Sequence, residues 1–257
     1  MDVKHVFFTT LIISILIQII TGGLEIGALF IKVSTDHLLI RQLLILEVIV
    51  QIIEGIFYFW LAYNFTKIIN VTPKRYIDWV ITTPTMLITL ILYLIYLNNS
   101  SYNLPTKCLE MNDNLSIDCA SSMRKDVNKM TKDKTNKLDF FTLLKDNSDI
   151  IIPVVLLNWL MLLFGYLGEM RIIPVLLGVF LGFIPFLIYY YMIYVNYVTK
   201  NTRGYLFFWY FFFFWSLYGV VAVLPYYIKN SFYNILDLFA KNFFGIFLSY
   251  IIYFEKY

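Results

Sequence analysis

The stretch YNILDLFAKNFFGIFLSYIIYF, residues 233–254, is long enough to cross a membrane as one helix, yet it carries Asp237 and Lys241 near its middle. Four residues apart, the two side chains share one helical face. A charge at mid-membrane costs several kcal/mol, and pairing returns only part of that. An ion pair that pins two helices is one reading of this stretch. A chemical site built around the lysine is the other, and the rest of the chain bears on the choice.

The 257 residues are 60% hydrophobic and only 14% charged, which excludes an ordinary soluble domain. Seven apolar stretches are long enough to span the bilayer, at roughly 6–31, 38–65, 76–97, 150–168, 172–198, 206–227 and 232–254. The expected fold is an all-α membrane protein, a single seven-transmembrane-helix bundle over residues 1–257. No stretch has the charged start, short apolar run and small-residue cleavage site of a signal peptide, so the first span is expected to remain in the mature chain. No internal repeat is evident.

Lys and Arg in the connections set the orientation. With the N-terminus outside, the inside loops collect Lys32, Lys107, Arg124, Lys125, Lys129, Lys132, Lys134, Lys137, Lys145, Lys200 and Arg203, against Lys4, Lys67, Lys74, Arg171 and Lys229 outside. N-terminus out and C-terminus cytoplasmic is therefore expected. The net charge of +3 is small and gives no sign of nucleic-acid binding. Residues 98–149 are polar and charge-mixed and read as a mobile cytoplasmic insertion between the third and fourth spans. Both cysteines, Cys108 and Cys119, fall in it and read as free thiols, with no histidine nearby to complete a metal site.

A second pair of charges opens the third span, where RYIDWVITTP (75–84) puts Arg75 and Asp78 into an apolar run. Trp79, Trp215 and Tyr218 add large flat side chains in the third and sixth spans. One lysine, two carboxylates and an aromatic box suit an elongated apolar aldehyde held as a protonated Schiff base.

With those residues in view, the chain resembles the microbial (type 1) rhodopsins. RYIDWVITTP is similar to their third-helix motif and WSLYG (215–219) to their sixth-helix pocket. MLLFGYLGE (161–169) is similar to the fourth helix of the proteorhodopsin-like branch, and DLFAKN (237–242) to the retinal-lysine motif. The resemblance implies a photoreceptor rather than an enzyme, with all-trans retinal joined to Lys241, Asp78 and Asp237 as counterions, and Arg75 one turn outward. It implies a pocket lined by Trp79, Thr82, Thr83, Met86, Met161, Gly165, Trp215 and Tyr218, with Tyr58 of IFYFW bonded to the Asp237 side. Thr83 and Asn158 would face one another beside the retinal. Met86 stands where glutamine marks blue-absorbing relatives, so green-side absorption is expected. Gly219 replaces a proline common in relatives, and the fifth span has Gly182 and Pro185 near the position of a pocket tryptophan.

The choice between pump, channel and sensor rests on polar residues elsewhere. An outward proton pump needs a carboxylate on the cytoplasmic side, and the family position for it holds Thr89. Along the second span, Glu47, Gln51, Glu54 and Tyr58 make one stripe at helical spacing, and along the first span Ser14, Gln18, Thr21 and Glu25 make another. Polar residues can simply join helices, but three buried glutamates are better accommodated by a water-filled path that selects cations. This resembles the viral rhodopsins and channelrhodopsins, and implies a central gate of Ser14, Glu54 and Asn242. The expectation is a light-gated cation channel, with an outward proton pump second and a sensory rhodopsin signalling through a partner third. Its partners are membrane lipid and permeant cations such as H+ and Na+, and self-association is compatible with the sequence. If the protein is viral, a host-cell membrane is its expected location.

Overall fold

The computed structural model describes residues 2–34, 37–101, 139–198 and 202–254. Helix α1 covers Val3–Leu29, α2 Leu38–Asn64, α3 Thr72–Ser101, α4 Phe140–Asp146, α5 Ser148–Glu169, α6 Val175–Ile193, α7 Thr202–Val221, α8 Tyr226–Asp237 and α9 Phe243–Phe254. A π turn, Tyr194–Val198, extends α6, and another, Leu238–Asn242, joins α8 to α9 into one span. Seven of the resulting rods are long and apolar enough to cross a membrane. Cys108, Cys119 and the charge-rich centre of the 98–149 segment lie outside the described residues. The last part of that segment is helical, as α4 and the start of α5.

The rods form a closed ring in which α1 packs on α2, α2 on α3, α3 on α5, α5 on α6, α6 on α7, α7 on α8, and α8 back on α1. Polar and apolar surfaces are reversed relative to a water-soluble protein. Ser14, Gln18, Glu25, Glu47, Glu54, Arg75, Asn158, Asn234 and Asp237 are buried, while Ile20, Ile56, Phe180 and Leu206 face outward. Apolar side chains cost nothing against lipid, so the interior is where polar groups find partners.

Three of the seven spans differ from the hydropathy reading by a turn or more; the sixth runs Thr202–Val221, a turn earlier than expected. α3 begins at Thr72, and the last span begins at Tyr226, directly after Pro225. Its first turns contain Lys229, Asn230, Ser231 and Asn234, all buried, so protein contacts hold a stretch that hydropathy does not mark. Pro225 at the N-cap also starts a helix readily, since its missing N–H is not needed there.

Polar backbone groups inside the bundle are satisfied locally. Pro84 lacks the N–H that would bond Val80 O, and the Trp159 indole donates to that carbonyl at 2.9 Å. Thr82, Thr83, Thr85 and Thr89 each donate their hydroxyl four residues back along α3, at 2.7–3.1 Å. Close approach joins α5 to α6: a Cβ on Gly178 would stand 2.8 Å from Phe164 O and 3.1 Å from Gly168 Cα. Gly178 and Gly182 are four apart on α6, a small-residue face of the kind that lets membrane helices touch.

Candidate functional site

Lys241 lies within the π turn Leu238–Asn242, where the helical ladder is interrupted, and Tyr210 donates to Phe239 O there at 2.8 Å. Its ammonium donates to Asp78 Oδ2 at 2.7 Å. Asp237 Oδ1 and Glu54 Oε2 each lie 3.8 Å away. Asp237 in turn accepts from the Tyr58 hydroxyl at 2.6 Å and from the Tyr218 hydroxyl at 2.7 Å. Arg75 reaches Asp237 at 3.3 Å, gives its Nε to Asn230 at 3.1 Å, and donates also to Asn234. All of these side chains except Tyr210 and Tyr218 are nearly fully buried.

The charges therefore pair across helices. Asp78 of α3 serves Lys241, and Asp237 serves Arg75. Glu54 of α2 is one carboxyl more than the two cations, and it shares Lys241 at longer range. Its Oε1 accepts from Gln18 Nε2 at 3.1 Å, while Oε2 has no hydrogen-bond partner among the described residues.

On the other side of Lys241 lies an apolar cavity. It is lined by Trp79, Thr83, Met86, Met161, Gly165, Trp215 and Tyr218, all expected from the sequence, and by Lys241 itself, the one lysine among its walls. Thr82 is absent from the lining; its hydroxyl is turned to the Asp78 carbonyl at 3.0 Å, on the ionic side of α3. Tyr58, Arg75, Asp78 and Asp237 likewise belong to the ionic cluster, not to the cavity wall. Several wall residues were not anticipated, Tyr76, Phe183, Phe186 and Tyr233 among them. Phe183 explains Gly219: a Cβ there would come within 2.6 Å of the Phe183 ring, so the ring occupies the space a larger residue would fill. Gly165 gives way in the same manner to the Tyr76 hydroxyl, 2.7 Å from its would-be Cβ. Asn158 Nδ2 donates to Thr83 Oγ1 at 2.8 Å, joining α5 to α3 beside the cavity.

The polar stripes of α1 and α2 meet each other, α8 and the π turn Leu238–Asn242, in a register one turn from the expected one. Ser14 does not reach Glu54; it donates to Asn234 O at 3.0 Å, and Gln18, one turn further along α1, is the residue that bonds Glu54. Asn242 donates to Thr21 at 2.8 Å, and Gln51 donates to Gln18 O and to Thr21, each at 3.0 Å. Helical periodicity identifies the inward face of each rod, but the offset of two antiparallel rods is set by packing. Glu47 and Glu25 continue the column away from Arg75, both buried.

A family model described as bacteriorhodopsin-like protein matches residues 9–253. The chain belongs to that family, the microbial rhodopsins. Among solved structures it is similar to the viral rhodopsin OLPVRII, at 25% identity, with 98% of this chain and 99% of that one covered and a TM-score of 0.71. It also shares its fold with xanthorhodopsin, a light-driven ion pump with dual chromophore (16% identity, 99% and 95% covered, TM-score 0.67). The same holds for the proton pumping rhodopsin AR2 of Acetabularia acetabulum (18% identity, 96% and 94% covered, TM-score 0.61). No curated protein matches the chain. Membership implies a retinal chromophore joined to a lysine as a Schiff base. The residues fit such a group: an apolar, aromatic-walled cavity ends on a lysine, and that lysine's nitrogen already has carboxylates arranged for a positive charge.

Proposed function

We propose that the protein is a light-gated cation channel with all-trans retinal attached at Lys241, forming one seven-helix domain over residues 1–257 with its N-terminus outside and its C-terminus cytoplasmic. The observation that carries this reading is the hydrogen-bonded run of buried polar side chains from the ionic cluster through Glu54, Gln18, Gln51, Thr21 and Asn242, with Glu47 and Glu25 buried further along the same faces of α2 and α1. Bound retinal supplies light absorption and isomerisation.

The chain's own residues do the rest. Asp78 balances the positive nitrogen at Lys241, and Asp237, held by Tyr58, Tyr218 and Arg75, balances the opposite side. Glu54 is the surplus carboxyl, so a displacement at Lys241 changes the field on a group that is not otherwise neutralised. Loosening of Glu54 from Gln18 would admit water and leave a carboxylate that attracts cations. Ser14 and Asn242 act in this reading by holding the flanking helices, through Asn234 and Thr21, in place of direct contact with Glu54.

A second reading, the outward proton pump, is favoured by one observation. Glu47 faces Thr89, so a carboxyl lies beside the position where a cytoplasmic proton donor is expected.

Two variants test the assignment. Lys241→Ala should insert into membranes and stay colourless when retinal is added; a visible pigment would refute the attachment. Glu54→Gln keeps size and bonding but removes the charge, so it should leave colour nearly intact and shift the photocurrent reversal potential between proton and sodium gradients. A wild-type reversal potential and current size would remove Glu54 from the path.

A further inference from the structure

One turn of α3 has each of its carbonyls engaged by a side chain. Four consecutive acceptors, the carbonyls of Asp78, Trp79, Val80 and Ile81, take hydrogen bonds from Thr82 at 3.0 Å, Thr83 at 2.7 Å, Trp159 at 2.9 Å and Thr85 at 2.8 Å. Three of these donors belong to α3 itself, and a hydroxyl bonded four residues back loosens and bends a helix. The Trp159 indole comes from α5 and does a different job. Pro84 has no N–H to give Val80 O, and a proline ring crowds the carbonyl four residues before it, so the indole is the donor that replaces the missing helical bond.

Trp159 lies outside the cavity wall and is 44% exposed, on the outer surface of the bundle. Val80 is 42% exposed beside it, so this stretch of backbone is turned towards hydrocarbon, where no water can stand in for an absent donor. The preceding residue of α5, Asn158, is fully buried and donates to Thr83 Oγ1 at 2.8 Å. Two adjacent residues of α5 therefore grip the same turn of α3, one from inside the bundle and one from the lipid side. Asp78, the first residue of that turn, carries the carboxylate 2.7 Å from Lys241 Nζ.

A helix interrupted by a proline and weakened by several hydroxyl back-bonds bends there more easily than elsewhere. We propose that Trp159 is a positioning residue: its bond to Val80 O sets the bend of α3 at Pro84 in the dark, and with it the place of Asp78, and this bond lengthens or breaks when light displaces Lys241. This rests on retinal at Lys241 and holds for a channel and a pump alike. A shift of the positive nitrogen draws Asp78 with it, the soft turn yields, and Val80 O withdraws from an indole fixed on α5. Re-forming the bond brings Asp78 back, so the bond favours return to the dark state.

The test uses the retinal-loaded protein in lipid vesicles as wild type, Trp159→Phe, Pro84→Ala and the double variant. Flash photolysis follows recovery of the dark absorbance, and light-minus-dark infrared spectra follow the indole N–H stretch. Wild type should show a light-sensitive N–H band that moves on nitrogen-isotope labelling of tryptophan and is missing from Trp159→Phe. That variant keeps a ring and removes the donor, so the visible maximum should stay in place while recovery slows several-fold. In Pro84→Ala the N–H of residue 84 supplies Val80 O, so the double variant should recover like Pro84→Ala alone. Equal slowing by Trp159→Phe in both backgrounds would reduce Trp159 to packing, and a wild-type spectrum with no band that Trp159→Phe removes would mean that light leaves the bond unchanged; either result overturns the proposal. Failure of Trp159→Phe to form pigment, restored in the double variant, would confine the bond to dark-state stability and overturn its role in the light. Absence of pigment in wild type would instead refute retinal at Lys241, on which the proposal rests.

Discussion

Asp78 lies 2.7 Å from Lys241 Nζ, against 3.8 Å for Asp237 and Glu54, and short range dominates when the intervening medium is dry. Asp78 is thus the carboxylate on which colour should depend most. In Asp78→Asn the visible band should move to the red or be replaced by absorption near the ultraviolet, measured by absorption spectroscopy of the purified pigment. An unchanged spectrum would transfer the role to Asp237. Lys241, Asp237, Arg75 and Asp78 stand out in the sequence because a charge in an apolar run is costly and so rarely accidental. Phe183 does not stand out, because an aromatic residue in a run of aromatics reads as packing. Its place at the cavity shows only in the folded structure, where it lines the wall and its ring lies over Gly219.

At the scale of elements, the spans were visible as apolar lengths, but their ends and offsets were not. The buried polar start of α8 lowers hydropathy where contacts with Arg75 hold the helix, and the one-turn offset that gives Glu54 to Gln18 instead of Ser14 comes from packing of α1 on α2. Two interhelical contacts make predictions. The Asn158–Thr83 bond joins α5 to α3 beside the cavity, so Asn158→Ala should change the duration of the photocycle followed by flash photolysis. Wild-type decay would leave the bond a packing role. Gly178→Val forces a side chain into Phe164 O and Gly168, and should destabilise the pigment by about 1–3 kcal/mol, read as a lower midpoint for thermal loss of colour. An unchanged midpoint would mean that α5 and α6 separate at no cost.

For the molecule as a whole, the ring of seven spans separates two kinds of interior. An apolar cavity lies among α3, α5, α6 and α7, a polar column lies among α1, α2 and the last span, and Lys241 stands where they meet. This division places the light-absorbing part against the ion-conducting part through one side chain. A pump and a channel can share that plan and differ in whether the column ever opens from end to end. Voltage-clamp recording of illuminated cells expressing the retinal-loaded protein decides it most directly. The account predicts a photocurrent whose direction reverses with membrane voltage and whose reversal potential follows the cation gradient. An outward current that keeps its sign across the voltage range and ignores the sodium gradient would contradict it.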